Sequence, residues 1–236
     1  MEISLGVERF IKENIDLIDT NNWDKFMKIV KWSPYLDDKS TSQIRQILSQ
    51  CDLFPLEEVD YIPEGWFSHD LTITTLDIPN HIREIKKNAF AGDSNLQSLH
   101  LPLDLERLHT GAFTDCISLS SVDLSDYPLQ VLTSNIFRRC YNLTNIKLPK
   151  NLRQMGTCTF YDCALLNNVV LPKSLKVIDK ETFTNCGSLT NISFEGTVEE
   201  WKSVNRYDRC FVGVPTKVIK CSDGVANLRP RANWQG

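Results

Sequence analysis

The sequence lacks the features that mark membrane, secreted and catalytic proteins. No apolar run in its 236 residues approaches the length that spans a bilayer. The first ten residues, MEISLGVERF, carry Glu2 and Glu8 and no apolar core flanked by positive charge, so they make a poor secretory signal. The chain contains no G-x-S-x-G, Walker loop or G-x-G-x-x-G motif. We therefore expect a soluble, non-enzymatic protein of the cytoplasm that has no membrane partner.

Candidate general bases and metal ligands are also few. None of the four histidines lies in an H-x-x-x-H or H-E-x-x-H arrangement, and the eight cysteines lack the C-x-x-C pairing of zinc sites. The sequence therefore predicts no catalytic residue, no metal site and no cofactor. The histidines are His69, His81, His100 and His109.

Charge is nearly balanced over the chain but unevenly distributed. The formal net charge is −4, and residues 1–60 hold 12 acidic and 7 basic residues, which leaves the remainder near +1. Binding to nucleic acid rests largely on Lys and Arg side chains that neutralise phosphates. A nucleic-acid partner is therefore disfavoured, and an acidic surface is expected at the front of the chain.

What the sequence holds in abundance is one repeated apolar unit. Phenylalanine recurs at separations of 23, 23, 24, 23 and 23 residues, and aliphatic or aromatic residues follow six, nine and eleven positions after each one. Side chains two apart on an extended chain point to the same side, so each unit predicts a short strand with one inward face. Such a unit is too small to fold alone and must stack on its neighbours. The six phenylalanines are Phe67, Phe90, Phe113, Phe137, Phe160 and Phe183.

A cysteine follows four of these phenylalanines by three positions. The same slot holds Asp70 and Asp93 in the first two units, which argues against a zinc ladder. Side chains that point in parallel from stacked units, together with a reducing compartment, argue against disulfides. We interpret the slot as a column of small buried thiols at Cys116, Cys140, Cys163 and Cys186.

The repeat L-x-x-L-x-L-P-x-x-L-x-x-L-x-x-x-A-F-x-x-C resembles the BspA-like, or Treponema-type, leucine-rich repeats of bacteria and their phages. The similarity covers about residues 61–224, including FEGTVEEW and KCSDG, which resemble that family's last unit. It implies an α+β leucine-rich repeat solenoid of about six 23-residue units that serves as a protein-binding scaffold. A helical segment before the I-P-x-x-x-F motif at Ile62, Pro63 and Phe67, without a signal, is most similar to phage-encoded members.

We predict four segments along the chain. They are a helical N-terminal domain or cap at 1–60, leucine-rich repeats at 61–194, a capping unit at 195–224 and a solvated tail at 225–236. In the first segment apolar residues recur at helical spacing, and Ser40 with Gln43 is a plausible capping box. This segment either covers the open edge of the first unit or is itself a docking or dimerising element. Thr197 with Glu200 predicts a short helix that places Trp201 over the last unit.

Strand residues eight and ten positions after each phenylalanine should point away from the core and form two columns on the concave face. The asparagines of the first column either satisfy one another between units or recognise a partner. Arg83, Arg107, Arg153 and Lys176 should lie on the opposite sheet with Glu84 and Glu106, as a solvated face. We predict that the concave face contacts a partner through Asp77, His100, Asp123, Asn145, Lys147, Asn168, Val170, Asn191 and Ser193.

These features favour a non-enzymatic protein-binding module. If the chain is phage-encoded, as its resemblance suggests, we expect it to bind and inhibit a host protein, such as a component of a bacterial defence system, in the host cytoplasm. The alternative is a structural accessory protein of a phage or bacterium that forms homo-oligomers through its N-terminal helices.

Overall fold

The computed structural model of the protein describes residues 59–71, 73–207 and 209–228. The N-terminal helices predicted within 1–60 lie outside the described residues, apart from Val59 and Asp60, and stay a prediction.

Each repeat unit contributes one longer and one shorter strand. The longer strands hold three or four residues, because the apolar residues nine and eleven positions after the phenylalanine turn inward there. They are β2 (Thr75–Asp77), β4 (Ser98–His100), β6 (Ser121–Asp123), β8 (Asn145–Lys147), β10 (Asn168–Leu171), β12 (Asn191–Phe194), β14 (Val218–Cys221) and β15 (Gly224–Asn227). The shorter strands are β1 (Tyr61–Ile62), β3 (Glu84–Ile85), β5 (Arg107–Leu108), β7 (Val131–Leu132), β9 (Gln154–Met155), β11 (Val177–Ile178) and β13 (Asn205–Arg206).

Strands of the same kind pair in parallel from one unit to the next. The longer strands form a two-stranded sheet, β2-β4, and a six-stranded sheet, β15-β14-β12-β10-β8-β6. The shorter strands form the sheets β1-β3-β5 and β13-β11-β9-β7. The register follows the repeat, since Asn168 lies opposite Asn191 and Val169 opposite Ile192. Equivalent side chains of successive units therefore stack in columns.

Both kinds of sheet are interrupted at the same place, between the units of Phe90 and Phe113. The unit of Phe113 is the one with 24 residues, and its extra residue lies between β6 and β7. In that connection the hydroxyl of Tyr127 donates a 2.9 Å hydrogen bond to the carbonyl of Leu101 in the preceding unit. The side chain of Tyr127 thus links the two parts of the stack at the point where strand pairing is interrupted.

The phenylalanines form a continuous stack inside the solenoid, as the spacing predicted. Successive ring centroids lie 5.0 to 5.8 Å apart, with interplanar angles of 3° to 12°. A seventh ring, Phe211, continues the stack 5.5 Å beyond Phe183. The six-unit prediction missed it, because α1 (Val198–Ser203) lengthens the last separation and breaks the 23-residue period. The solenoid therefore has about seven turns.

Left-handed residues flank every ring of the stack. The positions two before and two after each phenylalanine have φ between +55° and +81°, and only some of them are glycine. This backbone lets alternate amides point along the stack, so that Phe90 N donates to Ala112 O at 2.9 Å and Gly92 N to Thr114 O at 2.8 Å. The ring side is thus hydrogen bonded from unit to unit without a helix.

The C-terminal end confirms one prediction and corrects another. Thr197 and Glu200 form the predicted capping box of α1, and Trp201 is buried. The solvated tail does not begin at residue 225, because Val225 to Asn227 belong to β15 and Leu228 is fully buried. β15 pairs antiparallel with β14 and thereby adds a last strand to the sheet.

Candidate partner-binding face

The outward side chains of the longer strands form one surface, which we call the strand face. The sheet registers place its members in two columns, since Thr75 pairs with Ser98 and Asp77 with His100. Eight of the nine predicted partner-binding residues are exposed on this face, and Ser193 is partly exposed. The structure therefore brings the nine residues together on one surface, and their contact with a partner stays a prediction.

Charged residues of the strand face pair with one another between adjacent units. His100 Nδ1 lies 2.8 Å from Asp77 Oδ1, and Lys147 Nζ lies 2.6 Å from Asp123 Oδ2. The hydrogen bond from Lys147, supported by the hydroxyl and amide of Ser125, lowers the pKa of Asp123 to about 2. The same contact raises the pKa of Lys147. The charges of Asp123 and Lys147 therefore offset one another on this face.

The asparagine column does not form a self-satisfied ladder. Within the described residues, the side chains of Asn145 and Asn168 make no hydrogen bond, and Asn191 Nδ2 reaches only Thr190 Oγ1 at 3.5 Å. The sequence left two interpretations open, namely asparagines that bond to one another and asparagines that contact a partner. The structure lacks the hydrogen bonds that the first interpretation requires. The amides of Asn145 and Asn168 are exposed on the strand face.

The strand face extends further than the sequence predicted. β14 and β15 add the exposed side chains of Val218, Lys220, Val225 and Asn227 to the same two columns. The alternation in VIKC, with Ile219 buried between exposed neighbours, is the signal that could have revealed β14.

Three exposed apolar side chains, which we call the apolar edge, lie in the turns that precede β6, β8 and β10. Ile117, Tyr141 and Leu165 belong to three successive units and are 39%, 42% and 47% exposed. Backbone hydrogen bonds hold the three segments side by side, with Asn142 N donating to Ile117 O and Leu165 N to Tyr141 O. Sequence reasoning missed this apolar edge, because its members lie outside the strands and outside the repeat consensus.

The opposite sheet carries the basic residues that the sequence indicated. Arg83 Nη1 lies 3.0 Å from Glu106 Oε1, and Arg107 Nη2 lies 3.4 Å from Glu84 Oε2. His109 Nε2 also contacts Glu84. Because these contacts neutralise the first two arginines, the sheet offers no continuous track of cations for phosphates.

The cysteine slot is a structural column, as predicted. Each thiol is buried and donates to the backbone carbonyl of the phenylalanine one unit earlier, at 3.1 or 3.2 Å. Burial raises the pKa of Cys116, Cys140 and Cys163 and raises that of Cys186 to about 12. Neutral thiols are poor nucleophiles and metal ligands.

Metal-ligand clusters and membrane-spanning helices were sought in the same part of the chain. The described residues contain no group of three His, Cys, Asp or Glu side chains that could hold a metal ion. Among the helices of this part, none has both the length and the apolarity that a bilayer crossing requires.

Comparison with known families decides which proteins this solenoid is related to. The profile described as a BspA type leucine rich repeat region of six copies matches residues 60–190 and, in an overlapping alignment, residues 112–232. The chain belongs to the BspA-type leucine-rich repeat family. Leucine-rich repeat proteins commonly mediate protein–protein interaction and are typically non-enzymatic binding modules. No curated protein matches the chain.

One solved structure supports the same fold for this BspA-type protein, and two more are similar to parts of it. A leucine-rich repeat protein from Bacteroides ovatus is 24% identical with a TM-score of 0.59, over 72% of this chain and 42% of that one. A leucine rich cell surface protein from Faecalibacterium prausnitzii is 23% identical with a TM-score of 0.42, over 62% and 32%. The T. pallidum leucine rich repeat protein is 21% identical with a TM-score of 0.35, over 69% and 67%. The chain thus spans less than half of the first two proteins.

Proposed function

We propose that this BspA-type protein binds another protein through its strand face. The observation that carries the proposal is the outward column of Asn145 and Asn168, whose amides have no hydrogen-bond partner within the described residues. A side-chain amide can both donate and accept, so it can match the peptide groups of a partner.

The stack supports such binding because it holds these side chains in a fixed arrangement. The register of β8, β10 and β12 sets the spacing of the amides before any partner arrives. A preorganised surface loses little conformational entropy on association. A few contacts on the strand face can therefore suffice for measurable affinity.

In its more specific form, the proposal is that the protein is phage-encoded and acts in the host cytoplasm. There it would bind a host protein, such as a component of a bacterial defence system, and inhibit it by occupying a functional surface. Inhibition of this kind needs binding and no chemistry, which agrees with buried neutral thiols and a strand face that carries side chains suited to recognition.

Affinity purification from host lysate tests the proposal with two variants of the full chain. The face variant carries Asn145→Asp and Asn168→Asp, and the control carries Arg153→Ala and Lys176→Ala on the opposite sheet. We expect one host protein to be retained by the wild type and the control and lost with the face variant. Retention by all three forms alike, or by none, would contradict the proposal.

The charge asymmetry of the chain favours a second candidate. Residues 1–60 carry a net charge of −5 and the remainder about +1, so the front of one copy can attract the repeats of another. A structural accessory protein of this kind would be a stable homo-oligomer. Light scattering of the full chain separates the candidates, because only the structural role requires an oligomer.

A further inference from the structure

We propose that the opposite sheet carries a second binding surface, which takes an acidic segment of a partner protein. Its centre is Arg153 and Lys176, which we call the basic pair. The basic pair belongs to the shorter strands and not to the strand face. The inference therefore goes beyond the proposed function and is tested with different residues.

The basic pair is built by two neighbouring units of the stack. Lys176 N donates a 2.8 Å hydrogen bond to Arg153 O, and Arg153 N donates one of 2.7 Å to Gln130 O in the unit before. The backbones that carry the two cations are therefore one strand spacing apart, about 4.8 Å. Both side chains are exposed, and within the described residues neither makes an ion pair or a side-chain hydrogen bond.

Arg153 is left over from a pattern of charge pairing between two units. Residues 113–136 hold three acidic residues and no basic one, whereas residues 137–159 hold five basic residues and no acidic one. Three of the five pair with the three acids, and Arg138 lies over the ring of Tyr161 at 5.5 Å. Arg153 has neither, because the uncharged Gln130 lies opposite it. The three ion pairs are Arg139 with Asp115, Lys147 with Asp123 and Lys150 with Asp126.

Lys176 has no acidic partner in its own unit or in the next one. Glu195 follows β12 in the other sheet, and the remaining described carboxylates of these units are engaged elsewhere. Two adjacent cations repel one another, so a bound anion would relieve an unfavourable contact. The engaged carboxylates are Asp162 with Asn185 Nδ2, Asp179 with Lys180 N, Glu181 with Arg209, Glu199 with Lys202 and Glu200 with Lys173.

The neighbours of the basic pair favour a protein segment over a nucleic acid. Gln154 and Val177 directly follow the two cations in sequence, and the strand registers align them with Val131 and Asn205. This row supplies amide and apolar groups, with Val131 44% exposed. A guanidinium can hold a carboxylate through two hydrogen bonds, and an ammonium adds a second charge. Nucleic-acid binders neutralise many phosphates, whereas two cations match two neighbouring Asp or Glu side chains.

Fluorescence anisotropy with the full-length protein and a short dye-labelled peptide of alternating glutamate and serine tests this inference. We expect binding at low salt that weakens as salt is raised. The variant Arg153→Ala, Lys176→Ala should weaken binding about tenfold or more. The control Lys217→Ala, Lys220→Ala should change it less than about twofold. The control removes the same charge from two exposed lysines of a single unit, which make no ion pair within the described residues.

Three results would overturn the inference outright. They are equal binding of a glutamine and serine peptide, equal losses in the two variants, and no binding of the acidic peptide. Tighter binding of a thymidine oligonucleotide of similar length would assign the basic pair to nucleic acid instead. Circular dichroism and the thermal midpoint of each variant verify that it remains folded.

Light scattering at low salt gives a further outcome against the inference. A dimer that the Arg153→Ala, Lys176→Ala variant dissociates would assign the basic pair to a second copy of the chain. The strand-face proposal is judged separately, because its control variant lacks the basic pair and is expected to keep the strand-face partner.

Discussion

The thiol of Cys140 donates a hydrogen bond of 3.2 Å to the backbone carbonyl of Phe113, which lies one repeat unit earlier. The other three buried thiols of the column make the same bond. In these four units the slot therefore favours a small side chain that tolerates burial and can donate to a carbonyl. Cysteine meets both conditions, since a free thiol behaves as a small apolar group with a weak donor.

The Cys140→Ala variant should be less stable than the wild type by about 1 kcal/mol, because it leaves a small void and removes one of the two hydrogen bonds to the carbonyl of Phe113. Cys221 is only partly buried and makes no such bond within the described residues, so Cys221→Ala should cost far less. Urea denaturation measures both free energies of unfolding. Equal losses for the two variants would show that the thiol column contributes nothing specific.

The ring stack predicts a position-dependent cost for losing an aromatic side chain. Phe137 is fully buried between Phe113 at 5.8 Å and Phe160 at 5.7 Å, so Phe137→Ala should cost about 3–5 kcal/mol. Phe67 is only partly buried at the first position of the described stack, and Phe67→Ala should cost clearly less. Chemical denaturation of both variants tests this ranking, and a greater loss at Phe67 would contradict it.

Left-handed positions offer a stabilising substitution. Arg209 has φ of +63° and an exposed side chain, so Arg209→Gly should relieve a backbone penalty of up to about 1 kcal/mol. Arg209→Ala is the matched control, because it loses the same 3.3 Å contact with Glu181 without relieving the backbone. We expect a higher thermal midpoint for the glycine variant than for the alanine variant. Equal midpoints would mean that the backbone carries no strain there.

The ion pair of Asp123 and Lys147 predicts a pH-dependent contribution to stability. The pKa of Asp123 is lowered from 3.8 to about 2, so its stabilising effect is present above about pH 4 and lost as the pH falls towards 2. Both side chains are largely exposed, so solvent screening keeps this contribution small. Asp123→Asn should lower stability at neutral pH and have a much smaller effect near pH 2. A difference as large at pH 2 as at neutral pH would contradict this assignment.

Much of the fold could be predicted from the sequence, because the residues that form the buried contacts recur at a fixed spacing. The period placed the rings, the thiol column and both kinds of strand, and the capping box placed α1. The seventh ring could not be predicted in this way, since Phe211 follows Phe183 by 28 positions and the intervening segment includes a helix that no other described unit has. The last strand could not be predicted from the repeat either, because β15 pairs antiparallel with β14, whereas the repeat predicts only parallel pairing.

The candidate site could be predicted only in part. Alternation along each strand identified the outward columns, but it could not tell whether Asn145 and Asn168 bond to each other. That outcome depends on side-chain rotamers and on what each neighbouring unit presents. The apolar edge lies in turns, where side-chain direction follows from backbone angles that the repeat consensus does not specify.

The sequence by itself determined the stacking, because a 23-residue apolar period is buried only when successive units lie in register. The tertiary structure alone decided which surface side chains meet. Asp77 and His100 are 23 residues apart and become neighbours only through the pairing of β2 with β4. The left-handed turns at residues such as Arg209 and Glu181 were likewise decided by the stack, since its axial hydrogen bonds impose a conformation that these residues do not prefer on their own.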